Sequence, residues 1–177
     1  LFVSMNFEVK GLDYVMQGLA ALKRAGRSRL PLLLVVGRGN EGHYRRMAEG
    51  LGIGEHVRFS GVTGHEGLDA LYLGSDLFAM LSRFDTFGMA ALDAMAASLP
   101  VVLSGNVGAK DLVRDGVNGF VVEDPADAAA AAERFERLLE AEVRLRMGRE
   151  AYRTAAGRSW DEVARRQIGI YGELLGT

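Results

Sequence analysis

The sequence contains no cysteine among its 177 residues, which excludes disulfide bonds and metal sites built on thiolates. Its three histidines, His43, His56 and His65, are too widely separated to show a spacing typical of metal ligands. No apolar run approaches the roughly 20 residues that a membrane-spanning helix needs. No basic run is present either, and the net charge of −2 gives no indication of a nucleic-acid partner. The remaining composition, half apolar and a quarter charged, favours one globular domain over residues 1–177.

Two glycine-rich phosphate-binding motifs are also missing. The dinucleotide fingerprint G-x-G-x-x-G does not follow the first apolar run, and a P-loop is absent. Gly37-Arg38-Gly39 follows the second apolar run instead and lacks the third glycine in register. The sequence therefore disfavours NAD and FAD as ligands.

Short apolar runs alternate with segments of helical spacing along most of the chain. Because most of these runs are continuous, they are typical of strands buried on both faces. The predicted strands are Leu1–Ser4, Leu30–Val36, Val57–Ser60, Leu77–Leu81, Val101–Ser104 and Gly119–Val122. The alternation predicts an α/β fold: a doubly wound, Rossmann-like six-stranded parallel sheet, with the leading strand order 3-2-1-4-5-6. C-terminal helices follow, the first predicted to start at Asp124-Pro125.

The stretch 82–95 places a glycine turn between two carboxylates. It follows an apolar run and leads into an Ala- and Met-rich segment, which indicates a strand end, a loop and a helix start. The N–H groups at that start, Gly88-Met89-Ala90, would be unpaired and could hold an anion. Asp85 and Asp93 bracket the turn and could bind hydroxyl groups beside that anion.

The predicted topology brings a second loop to the same place. In the order 3-2-1-4-5-6, ligands bind beyond the carboxyl ends of strands 1 and 4, where the chain reverses. The loop after strand 1 carries Lys10, and the loop after strand 4 carries Asp85. The crevice would then combine a cation, a helix N-terminus and two acids. A sugar nucleotide needs that set, because its diphosphate is negative and its sugars carry hydroxyls.

Each of these residues also has a plain structural interpretation. Asp93 could be an exposed helix acid, Asp85 a loop or capping residue, and Lys10 a solvated loop lysine. Phe87 is favoured as a packing residue that contributes only its backbone. The spacing of Asp85 and Asp93 around Gly88 favours the binding-site interpretation over these structural ones.

At these residues the sequence resembles the C-terminal, donor-binding domain of a retaining GT-B glycosyltransferase of family 4 (group 1). The resemblance runs in order through nearly the whole chain. It is carried by the segments 6–12, 34–39, 57–61, 72–78, 82–95, 99–104, 115–122 and 159–160. Any one segment is a weak signal, and their order and spacing together make it specific. The segment Val3–Gly11 is most similar to lipopolysaccharide core glucosyltransferases.

The resemblance implies a UDP-sugar such as UDP-glucose, or another nucleotide-sugar, as the donor, and transfer of the sugar with retention at the anomeric carbon. Lys10 matches the family's basic diphosphate ligand. Asp85 and Asp93 match its paired glutamates, with Asp85 as the catalytic residue facing the donor sugar and Asp93 at the ribose hydroxyls. The backbone of 87–89 would bind phosphate, and Val62 would border the base. Neither a metal nor another cofactor is implied, since Lys10 and the helix terminus supply the positive field.

The resemblance also implies a second domain of the GT-B fold in addition to this sequence. An N-terminal domain would precede Leu1 and bind the acceptor glycan or lipid-linked glycan, so the chain alone would not catalyse transfer. The first residue is not Met and lies inside an apolar run, which fits an origin within a longer protein. The expected role is lipopolysaccharide or other glycoconjugate synthesis in the cytoplasm, with peripheral attachment to the inner membrane left open.

The sequence departs from the family pattern at three positions. Asp85 and Asp93 are each one methylene shorter than the family's glutamates, and Met5 replaces an arginine that many members carry. These departures keep two alternatives open. One is a non-catalytic nucleotide-binding or assembly module of GT-B fold, and the other is a UDP-sugar epimerase of GT-B fold.

Overall fold

The computed structural model of the chain describes residues 1–26 and 29–176. The strands in this part of the chain are β1 (Phe2–Ser4), β2 (Leu33–Gly37), β3 (Val57–Gly61), β4 (Phe78–Met80), β5 (Val101–Ser104) and β6 (Gly119–Val122). The helices are α1 (Leu12–Arg24), α2 (Glu41–Gly50), α3 (His65–Leu73), α4 (Met89–Ala96), α5 (Ala128–Arg137), α6 (Ala141–Ala156) and α7 (Trp160–Leu175). The predicted α/β class is confirmed, and all six predicted strands are present with bounds shifted by three residues or fewer.

The strands form two parallel three-stranded sheets, ordered β1-β2-β3 and β4-β5-β6. The prediction of one six-stranded sheet is therefore wrong, although the neighbours within each half are the predicted ones. The two halves meet at Leu1, whose C=O accepts a 3.0 Å hydrogen bond from the N–H of Ala79. Beyond β4 the N–H of Arg83 bonds instead to the C=O of Val9 in the loop after β1. Backbone bonds therefore connect the two halves at β4 and beyond its end, although β1 and β4 are not paired as neighbouring strands.

Helices cover the sheets and bury two apolar cores. The first core includes residues of α1 and α5, which pack against each other. The second includes residues of α4 and α6, which likewise pack together. The strands contribute to both cores, and strands with both faces covered explain the near-continuous apolar runs in the sequence.

The C-terminal helices are present as predicted, but the first of them starts later than expected. The side chain of Asp127 accepts hydrogen bonds from the N–H groups of Ala129 and Ala130, at 3.1 and 2.9 Å, and so caps α5. The predicted start at Asp124-Pro125 is wrong, because the Asp124 carboxylate closes a local turn onto the N–H of Ala126. None of the residues of α7 is buried.

Candidate functional site

A cavity of about 480 Å³ opens where β1, β2, β3 and β4 end. Its lining includes all the predicted site residues: Lys10, Val62, Asp85, Phe87, Gly88, Met89, Ala90 and Asp93. They fall into two walls. The first wall comes from the loops after β1 and β3, and the second comes from the loop after β4 and from α4. We define the first wall as Met5, Lys10, Val62 and Thr63, and the second wall as Asp85–Ala90 with Asp93.

The loop that carries Lys10 is built onto the apolar core. Phe7 in this loop is buried, and its ring meets that of Phe2 edge-on with centroids 6.0 Å apart. The N–H of Lys10 donates to the C=O of Asn6 at 3.1 Å, which closes the loop into a turn. The base of the Lys10 side chain is therefore held in place, while its flexible stem can still adjust.

Gly11 lets the two walls approach each other. It precedes α1 in the left-handed conformation, with a φ of 70°. A Cβ at this position would lie 1.9 Å from the carbonyl oxygen of Leu81, a distance at which no side chain fits. Both the backbone conformation and the close contact thus require glycine here.

An ion pair joins the two walls. The Nζ of Lys10 lies 2.5 Å from Oδ2 of Asp85, with the side chains 26% and 11% exposed. The diphosphate cation and the sugar-facing acid that the resemblance implies are therefore in direct contact. Sequence spacing did not predict this pair, because the two residues come from separate loops.

The backbone of Asp85 is fixed on both sides by the loop after β5. Its N–H donates to the C=O of Asn106, and its C=O accepts from the N–H of Gly108, both at 3.0 Å. The second carboxylate oxygen, Oδ1, lies 3.4 Å from the N–H of Phe87. That long bond leaves the Phe87 N–H only weakly engaged, so a better acceptor could compete for it.

The N-terminus of α4 forms the floor of the second wall. Gly88 precedes the helix with a φ of 94°, and a Cβ there would lie 2.7 Å from Cγ1 of Val107. Within the described part of the chain, no side chain caps this helix. The first N–H groups of a helix lack intrahelical partners and carry a partial positive charge. Met89 and Ala90, which line the cavity, are therefore positioned to offer such groups to an anion.

Asp93 lies in the second turn of α4 and remains accessible to solvent. Partial burial raises the pKa of its carboxyl above the ordinary value, and repulsion from the Asp69 carboxylate adds to the effect. Nearby, the buried Tyr72 hydroxyl donates to the C=O of Ala90 at 3.2 Å. Burial, followed by Asp93 and Asp69, raises the pKa of Tyr72, so this hydroxyl stays a neutral donor that holds the first turn of α4.

Further residues line the cavity that the sequence does not single out as site residues, and Tyr72, Thr63 and Thr86 are among them. Tyr72 fits the helical spacing of α3, so its pattern indicates packing alone. Thr63 and Thr86 directly follow Val62 and Asp85, and that adjacency was the signal available for them. Met5, which the sequence marks as a departure from the family, also lines the cavity.

The positive charge of the cavity comes from Lys10 and from the start of α4. Among the described residues, no three acidic or histidine side chains are placed to hold a metal ion together. None of the helices in residues 1–26 and 29–176 is long and apolar enough to cross a membrane.

A family model described as "Glycosyl transferases group 1" matches residues 1–154. The chain belongs to the group 1 glycosyl transferases. D-inositol 3-phosphate glycosyltransferase of Salinispora tropica is 35% identical to it over 183 residues, covering 98% of this chain and 38% of that protein. WaaG, a glycosyltransferase involved in lipopolysaccharide biosynthesis, has a crystal structure that matches with a TM-score of 0.75 at 25% identity, covering 88% of this chain and 42% of that one. Anabaena HepE in complex with UDP matches with a TM-score of 0.79 at 23% identity, covering 99% and 48%.

These matches confirm the expectation of a GT-B glycosyltransferase domain of group 1. They do not confirm the narrower similarity to lipopolysaccharide core enzymes, because the relative from Salinispora tropica carries the name of an inositol phosphate glycosyltransferase. This group 1 glycosyl transferase chain spans less than half the length of each of the three proteins.

Proposed function

We propose that this chain is the donor-binding half of a retaining glycosyltransferase and that its cavity binds a nucleotide sugar, with a UDP-sugar as the first candidate. The observation that carries the proposal is the meeting of Lys10, the start of α4 and two carboxylates in one cavity. The proposal is also supported by the UDP complex of HepE, which has a similar fold.

In this proposal the positive groups face the diphosphate. Lys10 and the N–H groups of 87–90 bind its oxygens, because charge-assisted hydrogen bonds to anions are stronger than neutral ones. Asp93 accepts hydrogen bonds from the ribose hydroxyls, and Val62, which is 57% exposed, borders the base. The proposal invokes no metal ion, since Lys10 and the start of α4 supply the positive field that faces the diphosphate.

Asp85 is proposed as the catalytic residue that faces the donor sugar. Its pairing with Lys10 means that a diphosphate arriving at Lys10 draws this cation away from the acid. The released carboxylate can then accept hydrogen bonds from the sugar or stabilise positive charge that develops at the anomeric carbon. Binding of the leaving group and exposure of the acid would thus be coupled.

The acceptor would bind to the rest of a longer protein. The relatives suggest two acceptor classes, an inositol phosphate and a lipopolysaccharide or related glycoconjugate. The higher identity to the inositol phosphate enzyme makes a phosphorylated polyol the first acceptor to test. A cytoplasmic location, with or without attachment to the inner membrane, also stays a prediction.

Calorimetric titration of this chain with UDP, UDP-glucose and uridine tests the proposal. We expect UDP and UDP-glucose to bind more tightly than uridine, because uridine lacks the diphosphate. The variant Asp93→Ala should weaken all three ligands, since each carries the ribose. Absence of heat with any of them at millimolar concentration would refute nucleotide binding, and unchanged affinities in the variant would remove Asp93 from the site.

The Lys10–Asp85 ion pair is consistent with the non-catalytic alternative, because it engages the carboxylate of the proposed catalytic residue. Sugar transfer by the full-length protein, lost in Asp85→Ala while UDP still binds, would dismiss a purely binding role. Incubation with UDP-glucose without acceptor addresses the epimerase alternative, for which an epimeric UDP-sugar would be the expected product.

A further inference from the structure

Arg83 lies two residues before Asp85 and contacts both the loop after β1 and the start of α1. Its guanidinium pairs in a bidentate manner with the Asp13 carboxylate, with Nη1–Oδ1 and Nη2–Oδ2 distances of 2.8 and 2.6 Å. The same Nη1 also donates to the C=O of Glu8 at 2.6 Å. The guanidinium carbon lies 4.3 Å from the centroid of the Tyr14 ring.

These contacts span the gap between the two loops that form the ion pair. Glu8 belongs to the loop that carries Lys10, whereas Asp13 and Tyr14 lie in the first turn of α1, just after that loop. In addition, the backbone N–H of Arg83 donates to the C=O of Val9 at 2.9 Å. Arg83 therefore holds the segment on both sides of Lys10 from a position next to Asp85.

Arg83 does not itself line the cavity described above. A different open cavity, which it shares with Glu8 and Asp13, lies against this cluster. The guanidinium already donates three hydrogen bonds, two to the Asp13 carboxylate and one to the C=O of Glu8. A role through another residue fits this arrangement better than direct contact with a diphosphate.

We infer that Arg83 is a positioning residue, which clamps the loop before Lys10 so that the Lys10 ammonium reaches Asp85 in the free protein and the donor diphosphate when that ligand binds. The inference rests on the proposed nucleotide-sugar function. It predicts that Arg83 contributes to diphosphate binding only through Lys10.

A double-mutant cycle with UDP tests this prediction. Arg83→Met should weaken UDP binding about tenfold, a typical size for coupled neighbours. Uridine binding should not change, because Lys10 does not act on the nucleoside. In a Lys10→Met background, the further change at Arg83 should have no effect on UDP affinity. A loss of UDP affinity that persists without Lys10, a parallel loss of uridine affinity, or no loss at all would each overturn the inference.

Arg45 provides the matched control. It lies on α2, its guanidinium carbon is 4.9 Å from the Phe59 ring, and it pairs with Glu41 at 2.6 Å. Arg45→Met therefore removes the same charge, an ion pair and an aromatic contact away from the cavity. We expect it to leave UDP affinity unchanged, and an equal loss in both variants would overturn the inference.

Asp13→Asn separates positioning from simple charge attraction and keeps Arg83 in place. If the cluster positions Lys10, weakening it from the Asp13 side should reduce UDP affinity. If Arg83 acts only through its charge, removing the neighbouring carboxylate should increase UDP affinity. Tighter binding in Asp13→Asn would therefore overturn the inference.

Hydrogen exchange gives a readout that does not depend on any ligand. The N–H groups of Lys10, Gly11 and Leu12 bond within the loop at 3.0 to 3.1 Å. In Arg83→Met these amides should exchange about tenfold faster, whereas Arg45→Met should not change them. Unchanged exchange would overturn the clamp even if UDP binds. Faster exchange in a chain that fails to bind UDP would support the clamp and refute only the proposed function.

Discussion

The two walls of the cavity hold their functional groups in different ways. The first wall presents its charge on the long side chain of Lys10, at the end of a loop clamped by Gly11 and Arg83. The second wall presents backbone N–H groups and the short Asp85, whose backbone bonds directly to the loop after β5. The second wall is thus pre-arranged by its backbone, whereas the first depends on how its loop is held. Substitutions that loosen the loop should accordingly affect the first wall by displacing Lys10, whereas the backbone of the second wall should stay in place when its side chains are changed.

Gly11→Ala should have the largest effect on stability, because it prevents the two walls from packing as close together as they do. The new Cβ would collide with the Leu81 carbonyl oxygen in a left-handed backbone conformation. We expect a loss of about 3 kcal/mol or more in the free energy of unfolding, measured by urea denaturation. Gly52→Ala is the matched control, because Gly52 has the same φ of 70° and nothing within 4 Å of its Cβ position. It should lose only about 1 kcal/mol, and equal losses would show that the close contact is unimportant.

Lys10→Met should have the next largest effect, since it removes the charge of the first wall while keeping most of the length of the side chain. UDP affinity should fall about 10- to 100-fold, the usual range for a hydrogen bond to a charged group. Uridine affinity should stay the same. Lys23→Met, which removes a lysine from α1 outside the cavity lining, controls for the change in net charge. A similar loss in both lysine variants would mean that Lys10 has no specific contact with the diphosphate.

Asp85→Asn tests the comparison from the side of the second wall. It removes the charge that pairs with Lys10 and leaves the loop that carries Lys10 unchanged. UDP should then bind a few-fold more tightly, by about 0.5–1 kcal/mol, since the ion pair no longer competes with the diphosphate. Sugar transfer by the full-length protein should be lost in the same variant. Weaker UDP binding would indicate that Asp85 holds Lys10 in place for the ligand and does not compete with it.

Asp93→Asn should have the smallest effect. It should slightly increase the free energy of unfolding while it weakens UDP binding. Because the folded state raises the pKa of Asp93, its ionisation disfavours folding. This cost is absent below the ordinary pKa of 3.8, and it develops as the pH rises through the raised value. At neutral pH the variant should therefore be more stable than the parent by less than about 1 kcal/mol, and below pH 3.8 the two should be equal.

Urea denaturation across this pH range measures that difference. Asp111→Asn, at an exposed position outside the cavity, serves as the control and should not reproduce the pH-dependent gain. A gain in the control, or no gain in Asp93→Asn, would contradict the prediction. A gain in stability together with weaker UDP binding would show that Asp93 is kept for its ligand and not for the fold.

The parts of the molecule that depend on periodicity and topology could be predicted from the sequence. Apolar runs gave the six strands, and the rule for carboxyl ends of parallel strands brought Lys10 and Asp85 to one cavity. The start of α5 was missed because Asp124 and Asp127 are both good caps, and only local backbone geometry decides between them. The split into two sheets was missed because apolar runs indicate strands but not which backbone hydrogen bonds join neighbouring strands.

Contacts between side chains on separate loops were beyond the reach of sequence patterns. The Lys10–Asp85 pair and the Arg83–Asp13 pair each join residues about 70 or more positions apart. Both depend on the close approach at Gly11, which is visible only as a distance in three dimensions. Tyr72 was missed for a related reason, because its helical spacing conceals that its hydroxyl reaches α4.

The ion pair between the walls has a consequence for how ionic strength should act on this site. Dissolved salt would screen the attraction between Lys10 and the proposed diphosphate, because that ligand would approach through solvent. It screens the attraction between Lys10 and Asp85 much less, since the two groups touch and are largely shielded from water. Rising salt therefore shifts Lys10 towards its internal partner and away from the ligand. Asp85 is thus a counterion within the chain, and its local concentration near Lys10 does not change with the ionic strength of the solution.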